Sequence, residues 1–298
     1  MTKQFKSGFA AIVGMPNVEK STLLNAVAGQ KIAIISDKPQ TTRNKILAIH
    51  TTDTEQIVFV DTPGIHKPHN KLGEYMVNTA NESMKDVDIL LFMIDATRKI
   101  QDMEREIAKN ISKLNIPCIL IMNKVDLVKK EDLLPLIADY SNIHEFDSII
   151  PMSAKSKDGL SLLLDDICDH LKEGPKFYLD DMVTDKTEKE ITSEIIREKM
   201  LWLLDKEVPH GIAIEIERMQ EKKNITNINA VIYCEKMTHK GIIIGKNGEM
   251  LKKIGTMARQ DIEKMLDKKV YLELWVRVKN DWRNNNFLIK NFGHEKDV

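Results

Sequence analysis

Residues 14–22, with the sequence GMPNVEKST, have the spacing of a loop that binds phosphate groups. Gly14, Lys20 and Ser21 match the first glycine, the lysine and the hydroxyl residue of the pattern G-x-x-x-x-G-K-[ST]. The lysine of that pattern reaches the β- and γ-phosphates of a nucleotide, and the hydroxyl residue ligates Mg²⁺. Glu19 stands where the pattern has its second glycine, so the sequence leaves open whether this loop still holds a nucleotide.

Two further motifs offer groups for a metal ion and a terminal phosphate. Thr41 and Thr42 lie in QTTRN, where a mobile loop would close on Mg²⁺ and the γ-phosphate. In DTPG, residues 61–64, the aspartate can hold Mg²⁺ through water while the N–H group of Gly64 detects a γ-phosphate. These residues therefore belong with the phosphate loop in the prediction of one site.

Two motifs nearer the middle of the chain point to a purine base. In NKVD, residues 123–126, the carboxylate of Asp126 can accept hydrogen bonds from N1 and N2 of guanine, a pair of donors that adenine lacks. In SAK, residues 153–155, the loop can contact the guanine O6. An enzyme that uses ATP is therefore disfavoured, and the predicted cofactors are GTP or GDP with Mg²⁺.

Each motif alone also fits an ordinary turn, but all of them in this order predict a guanine-nucleotide switch. The predicted nucleotide site comprises Gly14, Met15, Pro16, Asn17, Val18, Glu19, Lys20, Ser21, Thr22, Thr41, Thr42, Asp61, Thr62, Pro63, Gly64, Asn123, Lys124, Asp126, Ser153, Ala154 and Lys155. The predicted Mg²⁺ ligands among them are Ser21, Thr42 and Asp61, and the predicted catalytic residues are Asn17, Lys20, Thr42 and Gly64. Because only one set of motifs is present, a chain with two nucleotide domains is excluded.

Short apolar runs must position these motifs, because most of the motifs directly follow such a run. The runs FAAIVG, KILAIH, QIVFVD, DILLFMID, PCILIMN and SIIPMS are rich in β-branched and aliphatic residues, as expected for strands buried on both faces. Amphipathic segments such as MEREIAKNISKL lie between the later runs. The alternation predicts an α/β P-loop domain with a mainly parallel sheet over residues 1–173, with ligands at the carboxyl ends of the strands.

Length and composition allow a second domain of ordinary size. The 298 residues are 42% hydrophobic and 30% charged, which suffices for two globular cores. Cys118, Cys168 and Cys234 are far apart and form no C-x-x-C pair, so neither a disulfide framework nor a zinc site is indicated. The N-terminal apolar run is too short for a signal peptide, and no apolar stretch approaches the roughly 18 residues of a membrane span. These features favour the cytoplasm.

The C-terminal part of the chain has a different organisation. Residues 174–190 are predicted to be a linker, and residues 191–298 are predicted to form an α+β domain. The pattern predicts, in order, helix, strand, strand, helix, a G-x-x-G loop at 245–248, helix and strand. This order resembles a type II KH domain, in which the G-x-x-G loop clamps the backbone of about four single-stranded nucleotides.

The KH-like pattern predicts an RNA-binding surface around its loop. The predicted RNA-binding residues are Gly245, Lys246, Asn247, Gly248, Lys252 and Lys253. Residues 220–298 carry 16 Lys and Arg against 10 Asp and Glu, an excess that fits an anionic partner but that solvated helix faces also produce. Tyr271 and Trp275 are expected to pack against a neighbouring element rather than to stack on bases.

A single guanine-nucleotide domain followed by this KH module resembles the Era GTPases of bacteria over essentially the whole chain. The close matches are QTTRN, DTPGIHKPHNKLGEYM, NKVD, SAK, GPKFYLDDMVTD and GIIIGKNGEMLKKIGT. The resemblance implies a cytoplasmic GTPase that associates peripherally with the inner face of the cell membrane, and the protein is expected to be a monomer. It also implies that the KH domain binds the 3′ end of 16S rRNA and that the protein assists assembly of the 30S subunit.

Two positions bear on the rate of GTP hydrolysis. Ile65 stands where Ras-like enzymes have a glutamine that orients water, and the Era family also lacks this glutamine, so slow intrinsic hydrolysis is expected. We further hypothesise that Asn17 helps to place a potassium ion beside the phosphates, where the ion would offset negative charge in the transition state.

Glu19 is the one departure from the pattern of the family, which has glycine there. A non-glycine residue in a left-handed conformation costs about 1 to 2 kcal/mol. A carboxylate roughly 4 Å from phosphate oxygens adds ~4 kcal/mol per charge pair at an effective dielectric constant near 20. Together these effects predict nucleotide binding weakened by about a thousandfold or more. The alternative to a working GTPase is therefore an RNA-binding assembly factor whose nucleotide site Glu19 disables.

Overall fold

The computed structural model describes residues 4–38, 40–65 and 68–294, so positions 66–67 of the DTPGIHKPHNKLGEYM motif lie outside the described residues. By their contacts, the described residues form two units. The first unit contains residues 4–35, 42–65 and 76–185, and the second contains residues 36–38, 40–41, 68–75 and 186–294. Within the described part of the chain, no helix is both long and apolar enough to cross a membrane.

A six-stranded sheet organises the first unit. Its strands are β1 (Lys6–Val13), β2 (Ile46–Thr51), β3 (Glu55–Asp61), β4 (Ile89–Asp95), β5 (Cys118–Asn123) and β6 (Ser148–Pro151). The order across the sheet is β2-β3-β1-β4-β5-β6. Only the pair of β2 with β3 is antiparallel, and the other pairs are parallel. All six apolar runs are thus confirmed as strands of a mainly parallel sheet.

Helices cover both faces of this sheet. They are α1 (Lys20–Ala28), α3 (Asp102–Ile111), α4 (Lys130–Ser141) and α5 (Leu160–His170), while α2 (Lys71–Glu82) begins among residues of the second unit and ends in the first. One core cluster joins alternate strand residues to α1 and α5, and the other joins the remaining strand residues to α3 and α4. Because successive side chains of a strand point to opposite faces, strands with helices on both sides must be apolar throughout. This is why the strands were recognisable as continuous apolar runs.

The ends of the parallel strands place the motifs at one edge of the sheet. The phosphate loop follows β1, while β3, β4 and β5 end with the polar residues Asp61, Asp95 and Asn123. Carboxyl ends of parallel strands meet at the same edge. The predicted placement of the nucleotide motifs is therefore confirmed by the topology of the sheet.

The second unit contains a three-stranded sheet and its helices. They are α6 (Glu188–Leu203), β7 (Ile212–Glu221), β8 (Ile225–Cys234), α7 (Met237–Ile244), α8 (Glu249–Leu266), β9 (Lys269–Val278) and α9 (Asn286–Asn291). In the order β7-β8-β9, β8 is antiparallel to β7 and parallel to β9. The predicted element order is confirmed up to β9, and α9 is an addition that the sequence reasoning did not include.

Helix α6 begins three residues before the predicted start of the second domain at residue 191. The Thr187 side chain accepts a hydrogen bond from the N–H group of Glu190, and the Glu190 carboxylate accepts one from the N–H group of Thr187. This reciprocal capping fixes the first turn. The sequence TEKE, residues 187–190, carries this capping pattern, which the predicted linker over residues 174–190 overlooked.

The two faces of the second sheet differ in burial. One face packs with α6 and α8 through an apolar cluster that includes Ile195, Ile232 and Ile262. The opposite face carries Tyr271 and Trp275, which are 57% and 55% exposed. The expectation that these two aromatic residues pack against a neighbouring element was wrong, because the alternation of β9 turns them away from the helices.

Candidate nucleotide and RNA sites

The phosphate loop leaves β1 at Gly14, in a place that accepts only glycine. A Cβ atom at Gly14 would lie 2.3 Å from the backbone oxygen of Met93. The side chain of Lys20 is buried, and its Nζ donates hydrogen bonds to the carbonyls of Gly14 at 3.2 Å and Met15 at 3.1 Å. The ammonium group therefore lies inside the loop, where burial lowers its pKa against the opposing influence of Asp61.

Glu19 has the backbone conformation that favours glycine. Its φ and ψ angles are 72° and 35°, in the left-handed region, and its carbonyl accepts hydrogen bonds from the N–H groups of Thr22 and Leu23. Its Oε2 atom accepts a hydrogen bond from Nδ2 of Asn123 at 3.2 Å. The charged end of the side chain is thus directed at the end of β5, where the predicted base-recognition motif begins.

Three oxygen-bearing side chains meet at the start of α1. The hydroxyl of Ser21 lies 2.9 Å from the hydroxyl of Thr42 and donates to Oδ2 of Asp61 at 2.9 Å. The Thr42 hydroxyl also donates to Oδ2 of Asp61, at 3.3 Å. Thr41 lies outside this cluster, since its hydroxyl donates to the carbonyl of Lys38 at 2.6 Å and its segment groups with the second unit.

This cluster fits Mg²⁺. Asp61 is fully buried, and its Oδ1 atom accepts no hydrogen bond of good geometry from the described residues. Burial raises the pKa of Asp61, while Lys20 and the hydrogen bonds from Ser21 and Thr42 act in the opposite direction. Mg²⁺ prefers oxygen ligands, and a buried carboxylate oxygen beside two hydroxyls supplies them. The three predicted metal ligands are therefore brought together.

The segment after β3 packs directly on the phosphate loop. The hydroxyl of Thr62 donates to the carbonyl of Ile12 at 3.0 Å. A Cβ atom at Gly64 would lie 3.0 Å from atoms of Pro16, so glycine permits this close approach. The N–H group of Ile65 donates to the carbonyl of Gly14 at 3.4 Å. The predicted phosphate-sensing segment and the phosphate loop are thus in contact.

Asn123 joins the phosphate loop to the loop that contains SAK. Its side chain is fully buried, with Nδ2 donating to the carbonyl of Val18 at 2.9 Å and Oδ1 accepting from the N–H group of Ala154 at 2.8 Å. The carboxylate-bearing residue Asp126 is exposed, as is Lys155. Asn123 therefore connects the two loops, and Asp126, the predicted base-recognition residue, is open to solvent.

Lys124 and Asp95 form a second connection between the phosphate loop and the strand ends. Nζ of Lys124 donates to the carbonyl of Asn17 at 2.9 Å and to Oδ2 of Asp95 at 2.7 Å. The sequence reasoning missed Asp95, which lies at the end of β4 beside the site. Its signal was available, because the run DILLFMID ends in a carboxylate at the same edge of the sheet as DTPG.

The G-x-x-G loop of the second unit connects α7 to α8. Gly245 and Gly248 have φ angles of 73° and 79°, and Asn247 has a φ angle of 52°. A Cβ atom at Gly245 would lie 2.7 Å from Cβ of Met250. Within and after this loop, four predicted RNA-binding side chains are exposed, namely Lys246, Asn247, Lys252 and Lys253. The loop therefore presents glycine backbone and positive charge to solvent together.

Known protein families match both units of the chain. Residues 9–124 match a family model described as "50S ribosome-binding GTPase", and residues 207–283 match the KH domain. The chain is 51% identical over 292 residues to the GTPase Era of Ruminiclostridium cellulolyticum, covering 98% of each. It is 52% identical over 293 residues to the GTPase Era of Clostridioides difficile, covering 97% of this chain and 99% of that protein.

Solved structures resemble the whole chain as well. One is Era in complex with MgGDPNP and nucleotides 1506–1542 of 16S ribosomal RNA, and it is 41% identical with a TM-score of 0.95. Another is a variant of Aquifex aeolicus Era bound to GDP and AlF4⁻, with the same identity and TM-score. In both comparisons the match covers 98% of this chain and 100% of the other.

Proposed function

Because the chain belongs to the Era family of GTPases, we propose that it hydrolyses GTP and binds the 3′ end of 16S rRNA during assembly of the 30S subunit. The main support for GTP binding is that the side chains of Ser21, Thr42 and Asp61 lie together beside the phosphate loop. Three residues that are distant in sequence supply the oxygen ligands of one metal site, next to a buried lysine.

Different residues are proposed to bind the phosphates, the base and the metal ion of the nucleotide. Lys20 and the N–H groups at the start of α1 hold the phosphates, because a helix N-terminus attracts anions. Asp126 accepts the two donors of guanine, while Asn123 keeps the base-recognition loops beside the phosphate loop. Mg²⁺ held by Ser21, Thr42 and Asp61 neutralises charge on the phosphates when it is bound.

The hydrolytic step is proposed to be slow in the protein alone. Ile65 offers no polar group to orient the attacking water, so the chain depends on backbone groups of Gly64 and on the loop that carries Thr42. Asn17 is proposed to help place a potassium ion at the phosphates. Its position at the exposed end of the phosphate loop, with a φ angle of 67°, supports this role.

The RNA-binding part of the proposal rests on the loop between α7 and α8. Glycines at positions 245 and 248 allow the backbone of a nucleic acid to approach closely, and nearby lysines neutralise its phosphates. The exposed side chains of Lys246, Lys252 and Lys253 supply that charge. The rRNA-bound Era structure, which this chain resembles along its length, supports the 3′ end of 16S rRNA as the ligand.

A second candidate is an RNA-binding assembly factor with a weakened nucleotide site, and Glu19 favours it. The side chain places a carboxylate oxygen 3.2 Å from Nδ2 of Asn123, at the phosphate loop that would hold the phosphates. Negative charge there opposes the binding of phosphates. The two candidates share the RNA-binding role and differ only in how much nucleotide the protein binds in the cell.

The test is a titration of fluorescent GDP and GTP into the protein in Mg²⁺ and potassium, together with binding of labelled RNA of the 16S 3′ end. Binding of both ligands with measurable GTP turnover supports the main proposal. RNA binding without nucleotide binding supports the second candidate. A protein that binds neither ligand overturns both.

We also propose that the protein acts in the cytoplasm as a monomer and contacts the inner face of the cell membrane peripherally. The spacing of the cysteines supports the cytoplasm, and family resemblance alone supports the membrane contact. Light scattering of the purified protein tests the monomer, and cell fractionation tests the membrane contact. The domain limits 1–173, 174–190 and 191–298 likewise remain predictions, which limited proteolysis can test.

A further inference from the structure

Asp95 lies at the edge of the first sheet where the predicted nucleotide motifs meet. It is the last residue of β4 and is paired in register with Asn123, the last residue of β5. The N–H group of Ala96 donates to the carbonyl of Asn123 at 2.9 Å, so the backbone on both sides of Asp95 is fixed. Its side chain is 5% exposed. A carboxylate so placed needs partners for its charge.

Both oxygens of the Asp95 carboxylate have partners. Oδ1 accepts hydrogen bonds from the N–H group of Thr97 at 3.0 Å and from the Thr97 hydroxyl at 2.6 Å. Oδ2 accepts from Nζ of Lys124 at 2.7 Å. The guanidinium Nε of Arg98 lies 3.6 Å from the same oxygen, on a side chain that is 56% exposed. Thr97 therefore orients the carboxylate, and Lys124 is its close cationic partner.

These contacts keep the carboxylate charged. Burial alone would raise the pKa of Asp95, but hydrogen bonds from Lys124 and Thr97 outweigh it and hold the pKa below its usual value. The groups that act on Asp95 are Thr97 and Arg98 after β4, Lys124 after β5, and the buried carboxylate of Glu104 in α3, which repels it. Asp95 and Lys124 thus form an ion pair.

Lys124 links the Asp95 carboxylate to the phosphate loop. Its backbone has a φ angle of 68°, and its side chain is 16% exposed. Nζ donates to Asp95 on one side and to the carbonyl of Asn17 on the other, at 2.9 Å. A lysine has a flexible stem with three rotatable donors, so two fixed acceptors are needed to hold it along one path. The ammonium group is therefore held between Asp95 and the phosphate loop.

We propose that Asp95 is a positioning residue for guanine-nucleotide binding, which acts by holding Lys124 against the phosphate loop. This inference rests on the proposed nucleotide-binding function. The Asp95 carboxylate contacts Thr97, Arg98 and Lys124. It fixes the course of the Lys124 side chain and, through the Asn17 carbonyl, the exposed end of the loop. The nucleotide consequently meets a site that is already ordered, which lowers the entropy lost on binding.

The first experiment measures GDP affinity and dissociation rate in the unaltered protein, Asp95→Asn, Lys124→Met and the double variant. Asp95→Asn is expected to weaken GDP binding by about 10- to 100-fold, mainly through faster dissociation, as for loss of a charged hydrogen bond. Because Asp95 acts through Lys124, the double variant is expected to be no weaker than Lys124→Met alone. A purely structural role of Asp95 would give additive losses.

Arg98→Gln is the matched control, since it removes the exposed cation near the same carboxylate and is expected to leave GDP affinity unchanged. Circular dichroism verifies that each variant is folded. Should Asp95→Asn not fold, Asp95→Glu gives the same test, because it keeps the charge and displaces it by one methylene. Unchanged affinity or additive losses in a protein that binds GDP overturn this inference alone. Absence of GDP binding in both the unaltered protein and Glu19→Gly overturns the nucleotide proposal and this inference with it.

Discussion

The carboxylate of Glu19 accepts a hydrogen bond from the side-chain amide of Asn123, at 3.2 Å. The same amide donates to the carbonyl of Val18, so the end of β5 holds both the backbone and the side chain of the phosphate loop. The backbone of Glu19 is already left-handed in the folded chain. Its strain is therefore a cost to folding and not to nucleotide binding, which requires the same loop conformation.

We expect Glu19→Gly and Glu19→Gln to strengthen GDP binding by similar factors, up to about a thousandfold, because both remove the negative charge near the phosphates. The two variants should differ in stability. Only glycine relieves the left-handed strain, by at most about 1 kcal/mol once the greater freedom of glycine in the unfolded chain is considered. Fluorescent GDP titration and chemical denaturation measure the two effects.

Equal GDP affinity in all three proteins would mean that the carboxylate swings clear of the nucleotide, and the second candidate function would then lose its support. A gain confined to Glu19→Gly would instead show that the loop changes its backbone conformation when a nucleotide binds. Glu131→Gln, at an exposed position in α4, is a control for the loss of one negative charge from the same unit.

Asp126 is predicted to determine the preference for guanine. Asp126→Asn replaces one acceptor oxygen with an amino group, which opposes the N1 and N2 donors of guanine but suits a base with a carbonyl at position 2. We expect GDP affinity to fall by at least about a hundredfold and affinity for xanthosine diphosphate to rise. Competition titrations measure both. Since Asp126 is exposed, the fold should be unaffected.

Two results would contradict this assignment of Asp126. One is competition by ATP as effective as competition by GTP against the unaltered protein. The other is an Asp126→Asn variant that keeps full GDP affinity and gains none for xanthosine diphosphate. Either would place base recognition elsewhere at this edge of the sheet.

Asn17 is predicted to make GTP hydrolysis depend on potassium. The unaltered protein should hydrolyse GTP faster in potassium than in sodium buffer, and Asn17→Ala should abolish that difference. The bond from Lys124 goes to the backbone carbonyl of Asn17, so the substitution leaves it in place. Single-turnover hydrolysis in the two buffers is the measurement.

A conformational control is needed for Asn17, because its φ angle of 67° suits asparagine and glycine better than alanine. Asn17→Gly keeps the backbone conformation and removes the side chain. Loss of the potassium effect in both variants would assign it to the side-chain amide. Equal rates in potassium and sodium for the unaltered protein would remove the role proposed for Asn17.

The fold was largely predictable from the sequence because burial of a sheet on both faces leaves continuous apolar runs. The run DILLFMID forms β4, and the polar residue at its end marks the edge where ligands bind. The alternation in β9 also showed that Tyr271 and Trp275 share a face. It could not show whether another element covers that face, because this depends on tertiary packing.

Side-chain direction was the part of the site that the sequence could not supply. The motif showed that Glu19 replaces a glycine. It could not show that the Glu19 carboxylate bonds to Asn123, because the two residues are 104 positions apart in the sequence. The bond of Lys124 to Asp95 spans 29 positions and joins two motifs that are each ordinary alone. Such contacts arise only when the parallel strands bring their ends together.

The loop at residues 245–248 is predicted to bind single-stranded RNA. Replacing Lys246 and Asn247 with aspartates should abolish binding to the 16S 3′ end, since phosphates would meet negative charge at the point of closest approach. Both residues are exposed, so the domain should stay folded. Lys252→Ala should only weaken binding, and it should reduce the magnitude of the slope of log K against log salt by about 0.7.

Lys223 and Asn224 provide the matched control, because they are the same residue types in the same order and are also exposed, in the turn between β7 and β8. Their double replacement with aspartates makes the same change in net charge on the same unit. If binding at fixed salt falls only in the Lys246 and Asn247 variant, the G-x-x-G loop is the contact site. If both variants lose binding equally, the RNA responds to overall charge and the assignment of this loop fails.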